Sequence, residues 1–336
     1  MLADQINEET GVVHPDGTTH DALLAPLRER VGRAKVYVFG PEAVQMAANV
    51  AMGKPSSMLA ALPWVRLPAP ETWIEFSNLD LRQAMAAMGS PNLTPPNTAV
   101  TILRTGFLMR EVAGNLVVDY VHADRTPDGR TMLDLAPVRM RFELDPDRPL
   151  VAPALGLAVP EEARGRVRAH LKLISENPAE AAAESSLRER FFYGPHPDMA
   201  PLARFLAQVK GAAFVRKVEE DQGSEGWRLF HAVALPALIL LNCRNAVEVE
   251  EVEPSAKLNR TRVAKGRAPL RPHGLVRMHL TAARRAMTAS GGAGRGAVAS
   301  AFVIGHFKVR SGGIFWWSPH VRVGIGDPVA RPTAVR

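Results

Sequence analysis

Cysteine is nearly absent from this chain, which has 336 residues and a single cysteine, Cys243. One thiol cannot form an internal disulfide or a cysteine-rich zinc site, and such sparse use is typical of a reducing compartment. Cys243 ends the most hydrophobic run of the sequence, AVALPALILLNC. We therefore predict an inert, buried thiol rather than a nucleophile.

Long apolar segments are also missing. The run that ends at Cys243 is much shorter than the roughly 20 residues that a membrane-spanning helix requires. The first ten residues, MLADQINEET, have neither the basic start nor the apolar stretch of a secretory signal. The sequence thus predicts a cytoplasmic protein that has no membrane partner.

The motifs that identify common enzyme classes are absent as well. The sequence has no Walker-type phosphate loop, no HExxH zinc motif and no GxSxG nucleophile elbow. The GGAGRG segment lacks the strand-to-helix context of a dinucleotide site, so we interpret it as a flexible linker. We expect no cofactor, and the sequence favours a binding protein over an enzyme without deciding the matter.

Only one histidine pair suggests chemistry, namely His306 and His320, which have Asp327 nearby in sequence. Together they could form a metal site or the acid–base pair of a nuclease. The simpler interpretation is that both are hydrogen-bonding surface groups, because no carboxylate in this basic region is well placed to orient them.

Acidic residues are almost missing from the C-terminal quarter. Residues 254–336 contain fifteen Lys and Arg but one acid, Asp327, a net charge of +14. The whole chain has 41 basic and 34 acidic residues, so residues 1–253 keep 26 and 33, a net charge of −7. This asymmetry predicts a polyanionic or acidic partner for the C-terminal part.

What the sequence does contain indicates an α+β fold. Four candidate strands (ETWIEF, AVTILRTGFLM, NLVVDYVHA and PVRMRFELD) and a helix at residues 79–89 predict an N-terminal antiparallel sheet with helices in residues 1–150. Residues 151–245 are predicted as a helical segment, in which PHPDM is a turn. Residues 246–325 are predicted as a basic β-rich domain with its own small antiparallel sheet. Residues 326–336 are predicted to be a flexible tail, and residues 1 to about 20 a loose arm.

The strongest local pattern is a terminal β-hairpin around Ser311-Gly312-Gly313. A three-residue loop would place Arg310 opposite Ile314 and leave one face wholly apolar. On that register Lys308 lies opposite Trp316, a cation over an indole, although such pairs also stabilise ordinary hairpins. The predicted inner face is Val303, Phe307, Val309, Phe315, Trp317 and Val321, and the predicted outer face is His306, Lys308, Arg310, Trp316, Ser318, His320 and Arg322.

Two sets of residues are candidate binding groups for an anionic or extended partner, either nucleic acid or a peptide. The first is the motif set: Gly305, His306, Phe307, Trp316, Trp317, His320 and Arg322. The second is the basic set: Lys257, Arg260, Arg262, Lys265, Arg267, Lys308 and Arg310.

A family resemblance rests on Ile304-Gly305-His306-Phe307 followed by Trp316, Trp317 and Pro319. This arrangement resembles the basic strand, variable loop and aromatic strand of phage, plasmid and prophage proteins related to the type V-A anti-CRISPR protein that blocks biogenesis of the effector nuclease. Two further similarities are the apolar run at residues 235–241 and Leu67-Pro68 leading to Trp73-Ile74-Glu75-Phe76. The hairpin loop is shorter here than in the anti-CRISPR member.

The resemblance implies a cytoplasmic, cofactor-free protein that recognises the nascent N-terminal peptide of an effector and promotes loss of its message during translation. The implied partners are a host or effector protein segment, including a nascent chain, and RNA or the ribosome. We therefore hypothesise a mobile-element accessory protein that lowers expression of a host defence protein. The alternatives are a nucleic-acid-binding protein of phage or plasmid maintenance and, less favoured, a His-dependent nuclease. Neither the target nor the oligomeric state is predicted.

Overall fold

The computed structural model describes residues 1–6, 17, 19–87, 101–125, 129, 131–145, 177–278, 300–303, 305–317 and 320–323. Its main element is a nine-stranded mixed sheet with the strand order β7-β6-β4-β3-β2-β1-β9-β8, and β5 pairs with β4 beside this path. The strands are β1 Lys35–Phe39, β2 Glu71–Ser77, β3 Thr101–Val112, β4 Asn115–Arg125, β5 Thr131–Leu135, β6 Val138–Glu143, β7 Phe191–Pro195, β8 Val247–Val252 and β9 His273–Met278.

Two short antiparallel sheets follow near the C-terminus. In one, β10 pairs with β13, and in the other β11 pairs with β12. The last pair is called the hairpin below. The strands are β10 Ser300–Val303, β11 His306–Arg310, β12 Gly313–Trp317 and β13 His320–Val323.

Helices connect the strands. Two short 3-10 turns, Leu62–Trp64 and Pro197–Met199, and one π-helical turn, Phe230–Ala234, adjoin them. The α-helices are α1 Leu2–Gln5, α2 His20–Arg33, α3 Pro41–Gly53, α4 Pro55–Ala61, α5 Asn78–Ala87, α6 Pro178–Glu189, α7 Ala200–Lys210, α8 Ala212–Leu229, α9 Leu235–Asn242 and α10 Ala256–Ala264.

The large sheet has a core on each face. The larger core includes Phe76, Phe107, Tyr120 and Phe230, and it draws on α3, α5, α9 and the hairpin. The other core lies under α1 and α2 and is centred on Trp73. Because helices cover both faces, the central strands are buried almost continuously, as in β4. The predicted α+β class is confirmed.

Local sequence signals account for several helix ends. Helix α3 begins with Pro41 in its first turn and ends at Gly53, because proline suits the first turn of a helix and glycine its end. In the long apolar segment, the π-helical turn ends at Ala234 and α9 begins at Leu235. Pro236 lies in the first turn of α9. Proline has no N–H to donate, so Pro236 suits a position where the regular helix is interrupted and begins again.

The topology differs from the expectation in two respects. Strand β1 is parallel to both β2 and β9, so the sheet is mixed rather than antiparallel. The chain between β1 and β2 runs through α3 and α4, which supplies the crossover that parallel neighbours need. Moreover, β9 pairs with β1 and β8, so β8 and β9 belong to the large sheet, and the small antiparallel sheets near the C-terminus consist of β10 with β13 and of the hairpin. Strands from all three predicted segments share one sheet.

The predicted loose arm was wrong for residues 1–6. Leu2 and Ile6 are fully buried, and the backbone N–H groups of Leu2 and Ala3 donate to the carboxylate of Glu75 at 3.1 and 3.0 Å. Glu75 is itself fully buried and also accepts from Arg104 at 2.8 Å. A buried carboxylate requires such donors, and only the folded sheet places it under the arm. The predicted tail, residues 326–336, lies outside the described residues.

Candidate nucleic-acid interface

The hairpin is attached to the rest of the molecule through Asn245. The Asn245 side chain accepts from Trp316 N at 2.8 Å and donates to Trp316 O at 3.1 Å, so it binds both backbone groups of one distant residue. We call this arrangement an asparagine clip. Arg244 N also donates to Ile314 O at 3.3 Å. These bonds fix which side of β12 turns inward.

The hairpin register differs from the prediction by one residue. Arg310 pairs with Gly313, and Phe307 pairs with Trp316, so the loop has two residues, Ser311 and Gly312, and the three-residue loop was wrong. Gly313 takes the positive φ of 125° as the first residue of β12. Sequence alternation could not decide between the registers, because Phe315, Trp316 and Trp317 are all aromatic.

The inward face of the hairpin is apolar and packed. Phe307, Ile314 and Trp316 are buried, and the rings of Phe307 and Trp316 meet edge to face with centroids 5.5 Å apart. Gly305 is buried too. Two of the predicted aromatic binding residues, Phe307 and Trp316, therefore stabilise the hairpin, and Trp316 lies inside rather than on the predicted outer face.

The outward face of the hairpin combines cations with aromatic rings. The Lys308 ammonium lies 4.0 Å from the ring centroid of Trp317, so its partner is Trp317 and not the predicted Trp316. The Trp317 side chain remains 38% exposed. The face consists of His306, Lys308, Arg310, Phe315 and Trp317, of which His306 and Phe315 are half-buried.

This outward face carries positive charge without neutralising acids. Arg244 approaches it from the α9 end, with Nε 3.8 Å from the position that a Cβ on Gly313 would take. Within the described residues, neither Lys308 nor Arg310 nor Arg244 forms an ion pair. An exposed indole flanked by unpaired cations can stack a base and contact its phosphates.

The second basic surface is α10, a helix that buries none of its residues. Another asparagine clip holds it: Asn259 accepts from Leu270 N at 2.8 Å and donates to Leu270 O at 3.0 Å. Arg262 Nε donates to Ala268 O at 2.9 Å, so this predicted binding residue has a structural bond. The remaining predicted cations, Lys257, Arg260, Lys265 and Arg267, are exposed.

The two basic surfaces are fixed independently. The side-chain bonds that hold α10 go to the segment that follows it, whereas those that hold the hairpin come from Asn245. No hydrogen bond or ion pair between described residues joins the two surfaces. The predicted residues His320 and Arg322 lie in β13, opposite Val303 and Ala301.

The nuclease alternative gains no support from the pairing of the strands. His306 lies in β11 and His320 in β13, and the described strands pair β11 with β12 and β13 with β10. In the part of the chain that the structure describes, no group of three or more His, Cys, Asp or Glu side chains is arranged to hold a metal ion. Asp327 lies outside the described residues.

The sequence analysis did not identify a buried charge cluster at the PHPDM turn. His196 Nε2 lies 3.0 Å from Asp119 Oδ1, and both residues are 1% exposed. Arg30 and Arg139 each donate to the Asp119 carboxylate at 2.5 Å, and Arg30 also reaches Asp198 at 3.3 Å. Burial alone would raise the pKa of Asp119, but hydrogen bonds from His196 and Arg139 hold that pKa well below its usual range. Nothing in PHPDM indicates this role, because the partners lie far away in sequence.

The predicted inert thiol is consistent with the structure. Cys243 is 7% exposed, and burial raises its pKa to about 12. A thiol that stays protonated at neutral pH is a poor nucleophile.

None of the helices in the described residues combines the length and the apolarity that crossing a membrane demands. Neither a protein-family model, a curated protein nor a solved structure matches this chain. The resemblance to the anti-CRISPR family therefore stays a prediction, and the geometry of the basic surfaces is the basis for assigning a function.

Proposed function

We propose that the outward face of the hairpin binds single-stranded nucleic acid, with RNA as the natural ligand. The observation that carries this proposal is the Lys308 ammonium 4.0 Å from the Trp317 ring, on a face whose indole is still exposed. Stacking on an aromatic side chain contributes about 1–3 kcal/mol per base and tolerates any sequence. Lys308, Arg310 and Arg244 would contact the phosphates on either side of the stacked base.

Charge supports the same assignment. Residues 254–336 carry fifteen basic residues and one acid, and the exposed cations of α10 supply a second surface for phosphates. Each phosphate that a cation neutralises releases counterions, so binding should weaken steeply as salt increases. A bound peptide would lack this steep dependence unless it were strongly acidic.

The test is a salt titration of the binding of a labelled single-stranded RNA, followed by fluorescence anisotropy. For the double variant Lys308→Gln/Arg310→Gln, we expect the slope of log affinity against log salt to become shallower by about 1.4, or about 0.7 per lost contact. Trp317→Ala should weaken binding by about 1–3 kcal/mol at every salt concentration. Trp317→Phe should retain most of the affinity.

The matched control is Arg204→Gln/Lys210→Gln on α7, which removes two exposed cations from another surface. We expect this control to bind like the parent protein. An unchanged slope in the hairpin variant, or an equal change in the control, would refute a specific role for the hairpin.

We place this binding activity in a cytoplasmic accessory protein of anti-CRISPR type that lowers expression of a host defence protein. The support is the resemblance of the motif residues, together with a hairpin whose packed side, Phe307 and Trp316, holds its basic side in position. Co-expression with tagged candidate effectors should lower both protein and transcript, and Trp317→Ala should restore both. If every candidate keeps its normal protein and transcript levels, this role is wrong even when RNA binding is confirmed.

A further inference from the structure

The helices α7 and α8 pack against each other and are anchored to the sheet through the second half of α8. Helix α7 buries none of its residues, and α8 is buried only from Gly223 onward. At that point Tyr120 donates its hydroxyl to the backbone carbonyl of Gln222 at 2.6 Å, and a Cβ on Gly223 would lie 2.6 Å from the Tyr193 ring. The joined end of the pair, around Gly211, is therefore left exposed.

The end where these two helices join is mostly apolar. Gly211, with a positive φ of 90°, separates α7 from α8. We call residues 209–214, with the sequence VKGAAF, the helical tip, and all six are exposed. Val209 is 59% exposed, more than any other large apolar side chain in the described part of the chain, and Phe214 is 44% exposed. Single exposed apolar side chains are common, but here two of them share one short end with two alanines, and Lys210 carries its one charge.

Positive charge flanks the helical tip. Residues 200–218 contain four basic residues and no acidic one, a net charge of +4. Three of these cations, Arg204, Lys210 and Arg216, are exposed and form no ion pair with any residue that the structure describes. This end of the helix pair is therefore both apolar and positively charged.

The acidic residues of α8 lie farther from the helical tip. Glu219, Glu220 and Asp221 follow one another, and Asp221 binds the fourth cation, Lys217, at 2.8 Å. At about 1.5 Å per residue, these acids lie about 8–10 Å from Phe214 along the helix axis. That separation is close to the Debye length of about 8 Å at physiological ionic strength. Charge is thus sorted along the helix pair, with the positive charge at its exposed end.

We propose that the helical tip binds the surface of an anionic lipid bilayer. Val209 and Phe214 enter the boundary between headgroups and acyl chains, where amphipathic helices place their apolar side chains. Lys210 and Arg216 lie at the level of the anionic headgroups, and each such cation strengthens binding roughly fivefold. Two modest contributions of this kind give weak and reversible association, comparable with the roughly 10⁴ M⁻¹ of a single myristoyl chain.

A bilayer fits the helical tip better than other partners do. An apolar helix end needs a complementary pocket on a protein partner, whereas a fluid bilayer adapts to its shape. A second copy of the chain would bring the same net charge of +4 against the first, and like charges repel. For single-stranded nucleic acid, Val209 and the two alanines offer no ring on which a base could stack.

This contact differs from what the sequence predicted. The absence of an apolar segment long enough to span a bilayer led to the expectation of no membrane partner. Contact through the helical tip requires no such segment, because only side chains at the end of one helix pair enter the interface. The proposal does not depend on RNA binding by the hairpin, which consists of β11 and β12.

The test is flotation of the full chain with vesicles at millimolar lipid. Vesicles of phosphatidylglycerol and phosphatidylcholine in equal parts are the probe, and vesicles of pure phosphatidylcholine are the control. We expect the protein to float with the anionic vesicles only, and less of it at high salt, since salt screens exposed charges. Val209→Ser/Phe214→Ser should lower the partition coefficient at least about tenfold, because the apolar contact is lost. Lys210→Gln/Arg216→Gln should lower it about 20–30-fold.

The matched control variant is Leu79→Ser/Val112→Ser. It removes two apolar side chains of similar exposure, 53% and 46%, from other elements, and it should float like the parent protein. All four side chains are exposed, so both variants should fold, and urea denaturation verifies that they do.

Four outcomes would overturn the proposal. Unchanged flotation of Val209→Ser/Phe214→Ser would place the lipid contact on another surface, such as α10, and equal flotation with pure phosphatidylcholine would remove the role of charge. A loss of RNA affinity in the same variant would show that the tip is a nucleic-acid surface instead. A parent dimer that this variant converts to a monomer would show that a second copy of the chain covers the tip.

Discussion

The ring of Trp73 occupies the space where residue 106 would carry a side chain. A Cβ built on Gly106 would overlap the Cζ2 atom of Trp73, and Trp73 is fully buried, with its Nε1 donating to Glu75 at 3.0 Å. Gly106 lies in the middle of β3, opposite Glu75 on β2 and Val121 on β4. Neither the ring nor the strand has room to move.

The first prediction follows from this contact. Gly106→Ala should lower the free energy of unfolding by about 3 kcal/mol, the upper end of the range for overfilling a tightly packed core, because the added Cβ would overlap the Trp73 ring. Urea denaturation followed by tryptophan fluorescence measures it. Gly32→Ala is the control, because no atom lies within 4 Å of its added Cβ; alanine in this helix should instead stabilise by up to about 1 kcal/mol. Equal stabilities of the two variants would contradict the overlap.

The second prediction concerns the buried charge cluster. Asp119→Asn removes the carboxylate that faces Arg30 and Arg139, whose side chains are only 12% and 16% exposed. Breaking a buried ion pair from one side costs about 3–5 kcal/mol, because it leaves the other charges without compensation. Urea denaturation at pH 7 measures this loss, and Glu111→Gln should change stability by less than about 0.5 kcal/mol.

The same cluster predicts sensitivity to acid. The pKa of Asp119 is held below its usual range by His196 and Arg139 despite burial, which acts in the opposite direction. A carboxyl group with a depressed pKa stabilises the folded state above its unfolded pKa, near 4, and loses that contribution as the pH falls further. The parent protein should therefore lose stability below pH 4 more steeply than Asp119→Asn. Parallel curves for the two proteins would be inconsistent with the depressed pKa.

Asp124 should behave in the opposite way. Burial raises its pKa to about 6, so the folded state holds a proton that the unfolded chain releases near pH 4. The free energy of unfolding is then highest below pH 4, falls between pH 4 and 6, and stays lower above pH 6. A shift of two pKa units corresponds to a loss of about 3 kcal/mol in that free energy. Asp124→Asn should be more stable than the parent protein at pH 7 and nearly equal at pH 4. If the stability difference between Asp124→Asn and the parent protein were the same at pH 7 and at pH 4, the pKa of Asp124 would not be raised.

The asparagine clips allow a paired prediction. Asn245→Ala should release the hairpin and Asn259→Ala should release α10, since each side chain binds both backbone groups of one residue. Each net hydrogen bond contributes about 0.5–1.5 kcal/mol. Hydrogen exchange should show faster exchange of hairpin amides in the first variant only and of α10 amides in the second only. If either variant loosened both segments, the two surfaces would not be independent.

Sequence patterns indicated the local structure well where a single proline or glycine sets the end of a helix. Pro41 and Gly53 marked the ends of α3, and Gly266, at a φ of +68°, follows α10. The strands ETWIEF and NLVVDYVHA appear as β2 and β4. The short strand β1, KVYVF, was missed, because it lies directly after α2 without an intervening turn signal.

The candidate site shows what such patterns leave open. Lys308 and Arg310 were predicted on the outer face, and they lie there, because either register keeps them on the side opposite Phe307. The choice between Trp316 and Trp317 depended on the loop length, and Asn245, about 70 residues earlier in the chain, fixes it.

By itself, then, the amino-acid sequence determined the α+β class, some element boundaries such as those of α3, and the concentration of positive charge after residue 254, since backbone preference and charge are local properties. Tertiary structure alone decided the parallel pairing of β1 with β9, the burial of Trp316, and the groups around Asp119 and His122. The bonded residues in these groups lie far apart in the chain, 17 residues for His122 with Thr105 and 89 residues for Arg30 with Asp119. Such contacts exist only once the sheet has brought the residues together.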